Sequence, residues 1–119
     1  MLRLPKPARR LAILLALSTP ASGLMASHAA SAVPAKTQTV SIKMFAFAPQ
    51  VLTVTPGTTV TWTNADEDPH TVTANDRSFH SAALDTDDKY SFTFTKPGEF
   101  AYFCSLHPHM TGRVIVRAG

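Results

Sequence analysis

Thr58-Thr59-Val60-Thr61-Trp62-Thr63-Asn64 alternates without a break and follows the turn signal Pro56-Gly57. A period of two this strict suits a strand with one buried face, carrying Val60 and Trp62, and nothing helical. Similar runs recur at residues 39–44, 50–55, 89–95, 100–104 and 112–117, the third of these with Tyr90, Phe92 and Phe94 on one face. Residues 70–73 begin a further short strand, and the polar connection 75–88 has room for one more around residues 79–82. No segment of this region repeats its apolar residues at 3.6. Seven to eight short strands rich in Val, Thr and aromatics predict an all-β sandwich or barrel.

Residues 1–32 stand apart from that pattern. Arg3, Lys6, Arg9 and Arg10 precede a short apolar core, residues 11–17, which Ser18, Thr19 and Pro20 interrupt. Ala30-Ser31-Ala32 then supplies a small-residue cleavage site, with residues 21–23 and 27–29 as competing sites. This is the pattern of a secretory signal peptide, and residues 33–119 are expected to be the mature domain. The apolar core is far short of the roughly 20 residues a spanning helix needs, so no stable membrane insertion is expected after cleavage. The residues around Arg9-Arg10 match a twin-arginine signal poorly, which favours a Sec-type route and a periplasmic or otherwise exported destination.

Cleavage changes the charge argument. The whole chain carries +3, but four of its eleven Lys and Arg lie in the leader while all eight acidic residues lie beyond it, leaving −1. That balance excludes a basic nucleic-acid footprint. The single cysteine, Cys104, is the more telling count. An exported chain cannot pair an odd cysteine internally, so the thiol is intermolecular, reactive or a ligand.

Cys104 opens the run Cys104-Ser105-Leu106-His107-Pro108-His109-Met110. Cys104, His107 and Met110 offer a thiolate, an imidazole and a thioether at steps of three, and Pro108 stiffens the loop between them. Soft sulfur beside imidazole suits copper better than calcium or magnesium. A trigonal copper site with a weak axial thioether needs one more imidazole. Of His70, His80 and His109, His70 is favoured because the rigid Pro69 fixes its approach. Taken alone, a cysteine at a strand end is a small buried hydrophobe and Met110 is core; the joint spacing outweighs both readings. Asp66, Glu67 and Asp68, like Asp85, Asp87 and Asp88, read as solvated loop residues.

Pro69-His70 followed by Cys104-x-x-His107-x-x-Met110 resembles the cupredoxins, and the two-residue gap between His and Met is most similar to the amicyanin type, ahead of plastocyanin and pseudoazurin. The likeness extends through residues 92–94, 102–104 and 112–116. It implies a Greek-key β-sandwich holding one type 1 copper, with His70, Cys104 and His107 in the equatorial plane and Met110 axial. It also implies a one-electron carrier cycling between Cu(I) and Cu(II), a monomer meeting donor and acceptor proteins transiently. The outer edge of His107 would be the electron port, inside an apolar collar of Pro69, Leu106 and Pro108. Two positions depart from the amicyanin and plastocyanin pattern. Thr71 stands where those proteins have Asn, and Leu106 where they have Pro. Thr71 is expected to hydrogen-bond near Ser105 and tie the two ligand loops.

The alternative is a copper storage or delivery protein with the same ligands. It ranks second because residues 33–119 hold only two methionines, Met44 and Met110. An enzyme is not expected, since related copper enzymes need a second metal site.

Overall fold

The alternating runs become eight strands: β1 (Thr37–Lys43), β2 (Ala46–Ala48), β3 (Val51–Val54), β4 (Thr58–Asn64), β5 (Thr73–Ala74), β6 (Lys89–Phe94), β7 (Gly98–Cys104) and β8 (His107–Val116). The computed structural model describes Gly23 and residues 36–119. Apart from that glycine, the expected signal peptide lies outside the described residues. Two four-stranded sheets form, in the orders β2-β1-β4-β6 and β3-β8-β7-β5. Each is mixed, with β1 parallel to β4 and β3 parallel to β8, and the remaining pairs antiparallel. After β2 the chain changes sheet at each step until β7, so its loops gather at the two ends of the sandwich.

The core sits between the sheets because each strand turns its period-two face inward. Val40 and Ile42 of β1, Val60 and Trp62 of β4, and Val114 of β8 have no exposed surface. Trp62 is the centre of an aromatic cluster, with ring centroids 5.4 Å from Tyr102, 5.8 Å from Tyr90 and 5.9 Å from Phe79. Phe94 is buried while Tyr90 and Phe92 are half-buried on the same face of β6, as their spacing predicts. Burial of this kind, at ~25 cal/mol per Å², is the main term holding so small a domain together.

The structure also corrects the strand boundaries. Met44 leaves the first strand for a two-residue turn with Phe45, and both adopt left-handed backbones, φ 53° and 57°. The short β2 behind that turn is not signalled by its sequence, since Ala46-Phe47-Ala48 carries one buried residue. His70 makes a single bridge to Leu84, and His80 one to Thr73, in place of the expected strands there. β8 begins at His107, inside the presumed loop, five residues before the alternation becomes visible at Gly112.

Two buried polar atoms, Trp62 Nε1 and the Tyr102 hydroxyl, have no hydrogen-bond partner among the described residues. Burial pushes the Tyr102 phenol up to about 12. In the unfolded chain the same phenol ionises near pH 10. Between those values the unfolded state binds fewer protons, so stability is intact below about pH 10 and falls as pH rises toward 12. The expected loss is on the order of 2 kcal/mol. Urea denaturation across this range should show it, and Tyr102→Phe should flatten the fall.

Candidate metal centre

β1 and β4 run parallel with Ile42 beside Asn64, so the Met44–Phe45 turn and the loop after β4 leave the sheet at the same end. Asn64 organises that loop. Its buried amide donates to the carbonyls of Asp68 (2.9 Å) and Leu84 (2.8 Å), while its oxygen accepts from the Asp66 N–H at 2.9 Å. His70 is thereby delivered into the interior with no exposed surface, paired to Leu84 through N–H···O bonds of 3.1 and 2.7 Å.

Asp66 decides which imidazole nitrogen of His70 is free. Its Oδ2 lies 2.8 Å from His70 Nε2, while Nδ1 faces Cys104 Sγ at 3.8 Å. A carboxylate accepting from Nε2–H leaves the Nδ1 lone pair open toward the sulfur, the arrangement by which outer partners orient metal-binding histidines. The acidic loop is therefore not uniformly solvated, contrary to the sequence reading. Glu67 and Asp68 are exposed, but Asp66 is half-buried. Partial burial raises its pKa, yet the N–H groups of Phe45 and Met44, together with His70, hold the carboxyl below the usual range overall.

β7 supplies the second half. Its inward face carries Tyr102 and then Cys104, both buried. The β7–β8 ladder pairs Phe103 with Thr111 but Cys104 with His107, a register shift in which one step on β7 spans four on β8. Ser105 and Leu106 form the turn, and His107 comes back with Nδ1 3.7 Å from Cys104 Sγ. At the end of the shifted segment Met110 is buried, in step with Gly112, Val114 and Val116 beyond it, so Met110 joins the inward face, while His109 is exposed. Of the proposed port and collar, His107 is half-buried, and Pro69, Leu106 and Pro108 are exposed.

Thr71 joins the two halves as its place beside His70 suggests. Its N–H donates to Cys104 Sγ at 3.3 Å, and its Oγ1 accepts from the Ser105 N–H at 2.7 Å and lies 2.8 Å from Ser105 Oγ. Thr71→Val keeps the shape of the side chain but leaves the Ser105 N–H without its acceptor. Because Ser105 is exposed and water can substitute, a loss of about 1 kcal/mol is expected by urea denaturation of the metal-free protein.

His70, Cys104 and His107 are the described His, Cys, Asp or Glu group that can hold a metal, with one donor atom each and all three atoms within 4.8 Å of one another. Bonds of about 2.3 Å to sulfur and about 2.0 Å to nitrogen, opened to 120°, put those donors about 3.7 Å apart. The observed separations are 3.8 and 3.7 Å. The residues fit a trigonal two-imidazole, one-thiolate centre, and with the buried Met110 nearby they form a type 1 copper-like site.

Fold and site together define an all-β copper protein of the electron-transfer kind. The Cupredoxin-like domain model matches residues 11–116, and the chain belongs to that family. It is 34% identical over 93 residues to an amicyanin of Paracoccus versutus, covering 74% of this chain and 70% of that one. A purple cupredoxin from Nitrosopumilus maritimus superposes with a TM-score of 0.64 at 32% identity, over 66% of this chain and 98% of that chain. A copper-containing nitrite reductase from Thermus scotoductus SA-01 also gives 0.64, at 34% identity, but over only 22% of its own length.

Sequence reasoning missed Asn64, Asp66 and Phe45. Asp66 precedes His70 by four residues, a visible spacing, but nothing distinguishes it from Glu67 and Asp68 until the loop is folded. Phe45 lies just beyond the 39–44 run, and nothing in the sequence marks the turn that carries it.

Proposed function

We propose that residues 33–119 act as an exported, monomeric one-electron carrier, with His70 Nδ1, Cys104 Sγ and His107 Nδ1 holding one copper and Met110 as the weak axial donor. The observation that carries this reading is the pair of sulfur–nitrogen separations, 3.8 and 3.7 Å, at the spacing a trigonal centre requires. Bound copper supplies a Cu(II)/Cu(I) couple at a site whose geometry tolerates both states. The chain's part is to keep the donors still. Asp66 fixes the His70 tautomer, Thr71 pins Cys104 and Ser105, and burial of His70 and Cys104 excludes water.

His107 is the half-exposed donor, so its edge is where an electron would leave. Pro69, Leu106 and Pro108 would form the apolar collar around that edge; all three are exposed, Leu106 by 50%. Small apolar surfaces of this kind favour brief, weak docking over stable association.

The test is to add Cu(II) to the purified protein, record the visible spectrum and then measure the couple by voltammetry. One equivalent should give an intense thiolate-to-copper band and a reversible one-electron wave. A colourless protein that holds only Cu(I) would replace the carrier with a delivery protein. N-terminal sequencing of the secreted form should begin at Val33.

A further inference from the structure

The β1–β2 hairpin places two non-glycine residues, Met44 and Phe45, at φ 53° and 57°. Gly and Asn occupy such turns most easily, so the Phe45 side chain must offset the strain through what it touches. It touches both imidazoles. Its ring centroid lies 5.2 Å from that of His70 at 90° and 5.1 Å from that of His107 at 89°. The two imidazole centroids are themselves 5.1 Å apart, so the three rings form a nearly equilateral, edge-to-face triangle. His70 has no exposed surface whereas Phe45 is 43% exposed, which puts the phenyl ring between His70 and water.

The turn is held in place from below. Met44 N–H donates to Asp66 Oδ1 at 2.7 Å and Phe45 N–H to Oδ2 at 3.0 Å, the same oxygen that meets His70 Nε2. One carboxylate therefore ties the turn and the histidine to a common point. Phe45 also borders, with His109 and Met110, a cleft of about 170 Å³. That is room for a small anion or a few waters. Phe45 is common to this cleft and to the imidazole pair.

We propose that Phe45 is a lid over the metal centre, a specificity-determining residue that bars small anions and water and so restricts the site to electron transfer. This rests on the carrier reading above. The ring touches the donors on their solvent side, and Asp66 keeps it from swinging away. Removing it opens the cleft beside Met110 to the imidazoles, and with it a path for an ion the size of azide.

The copper-loaded protein is titrated with azide while the thiolate-to-copper band is followed. Phe45→Gly removes the ring and relaxes the left-handed turn, Phe45→Asn does so with a second residue that tolerates this backbone, and Phe45→Tyr keeps the ring. Wild type and Phe45→Tyr should leave the band unchanged, whereas Phe45→Gly and Phe45→Asn should bind azide at least about tenfold more tightly. Equal azide affinity in wild type and Phe45→Gly overturns the lid. A second arm needs no copper, so it stays readable even if the carrier reading fails. In the metal-free protein the carbon-bound imidazole protons of His70 and His107 should be displaced by the phenyl ring current, and should return toward ordinary positions in Phe45→Gly. Identical proton positions in the two proteins also overturn the proposal.

Discussion

Cys104→Ser is expected to abolish the intense visible band and to weaken copper binding by well over a hundredfold, beyond the ~10–100-fold typical of losing an outer partner. The reason is chemical and not steric. Serine differs by one atom, so the buried position and the Thr71 N–H, 3.3 Å from the sulfur, keep an acceptor. A hydroxyl, however, stays protonated at neutral pH and is a hard donor, whereas a thiolate is soft and supplies the charge-transfer transition. The two imidazoles alone leave a site that copper shares with zinc and nickel. Calorimetric Cu(II) titration with parallel spectra measures both effects. Retention of the band in the serine protein would remove Cys104 from the metal site.

Gly112→Ala should produce the largest loss of stability, about 3 kcal/mol or more. Gly112 faces inward on β8 directly across the ladder from Tyr102. A Cβ there would overlap the Tyr102 ring at Cζ and its hydroxyl. The ring is held edge-on against Phe47 at 4.8 Å and Trp62 at 5.4 Å, so moving it away from a new Cβ disturbs the aromatic cluster. A loss of that size is a large fraction of the ~5–15 kcal/mol that holds a small domain folded. The overlap is specific to one pair, so Gly112→Ala should cost far less in a Tyr102→Ala background, with a coupling above about 1 kcal/mol in a double-mutant cycle. Additive costs would mean that the space lies elsewhere.

Much of the scaffold was legible because strands declare themselves locally. The run ending at Asn64 matched β4 residue for residue, since its alternation is unbroken and its face fully buried. β2 was not legible, and β5 was expected a few residues early, at 70–73; at three and two residues long, both are too short for a period to register. The early start of β8 was hidden for another reason. Pro108 and the three-residue slip between Cys104 and Phe103 interrupt the alternation within a segment that still pairs. The donor set could be read because its members lie close together in sequence, or beside a proline, and because a lone cysteine in a chain read as exported invites a ligand role.

By itself, the sequence determined the class of fold, the four donor side chains and the metal chemistry they prefer. Those follow from residue type, spacing and periodicity, all of which are local. Tertiary structure alone decided how the donors are held and what covers them. Asp66 is one of three neighbouring acids until the parallel pairing of β1 and β4 brings it under the Met44–Phe45 turn, and Phe45 is one more aromatic until that turn sets it against two imidazoles. Such contacts join residues more than twenty positions apart, and whether they form depends on register and backbone sign, which no local pattern encodes.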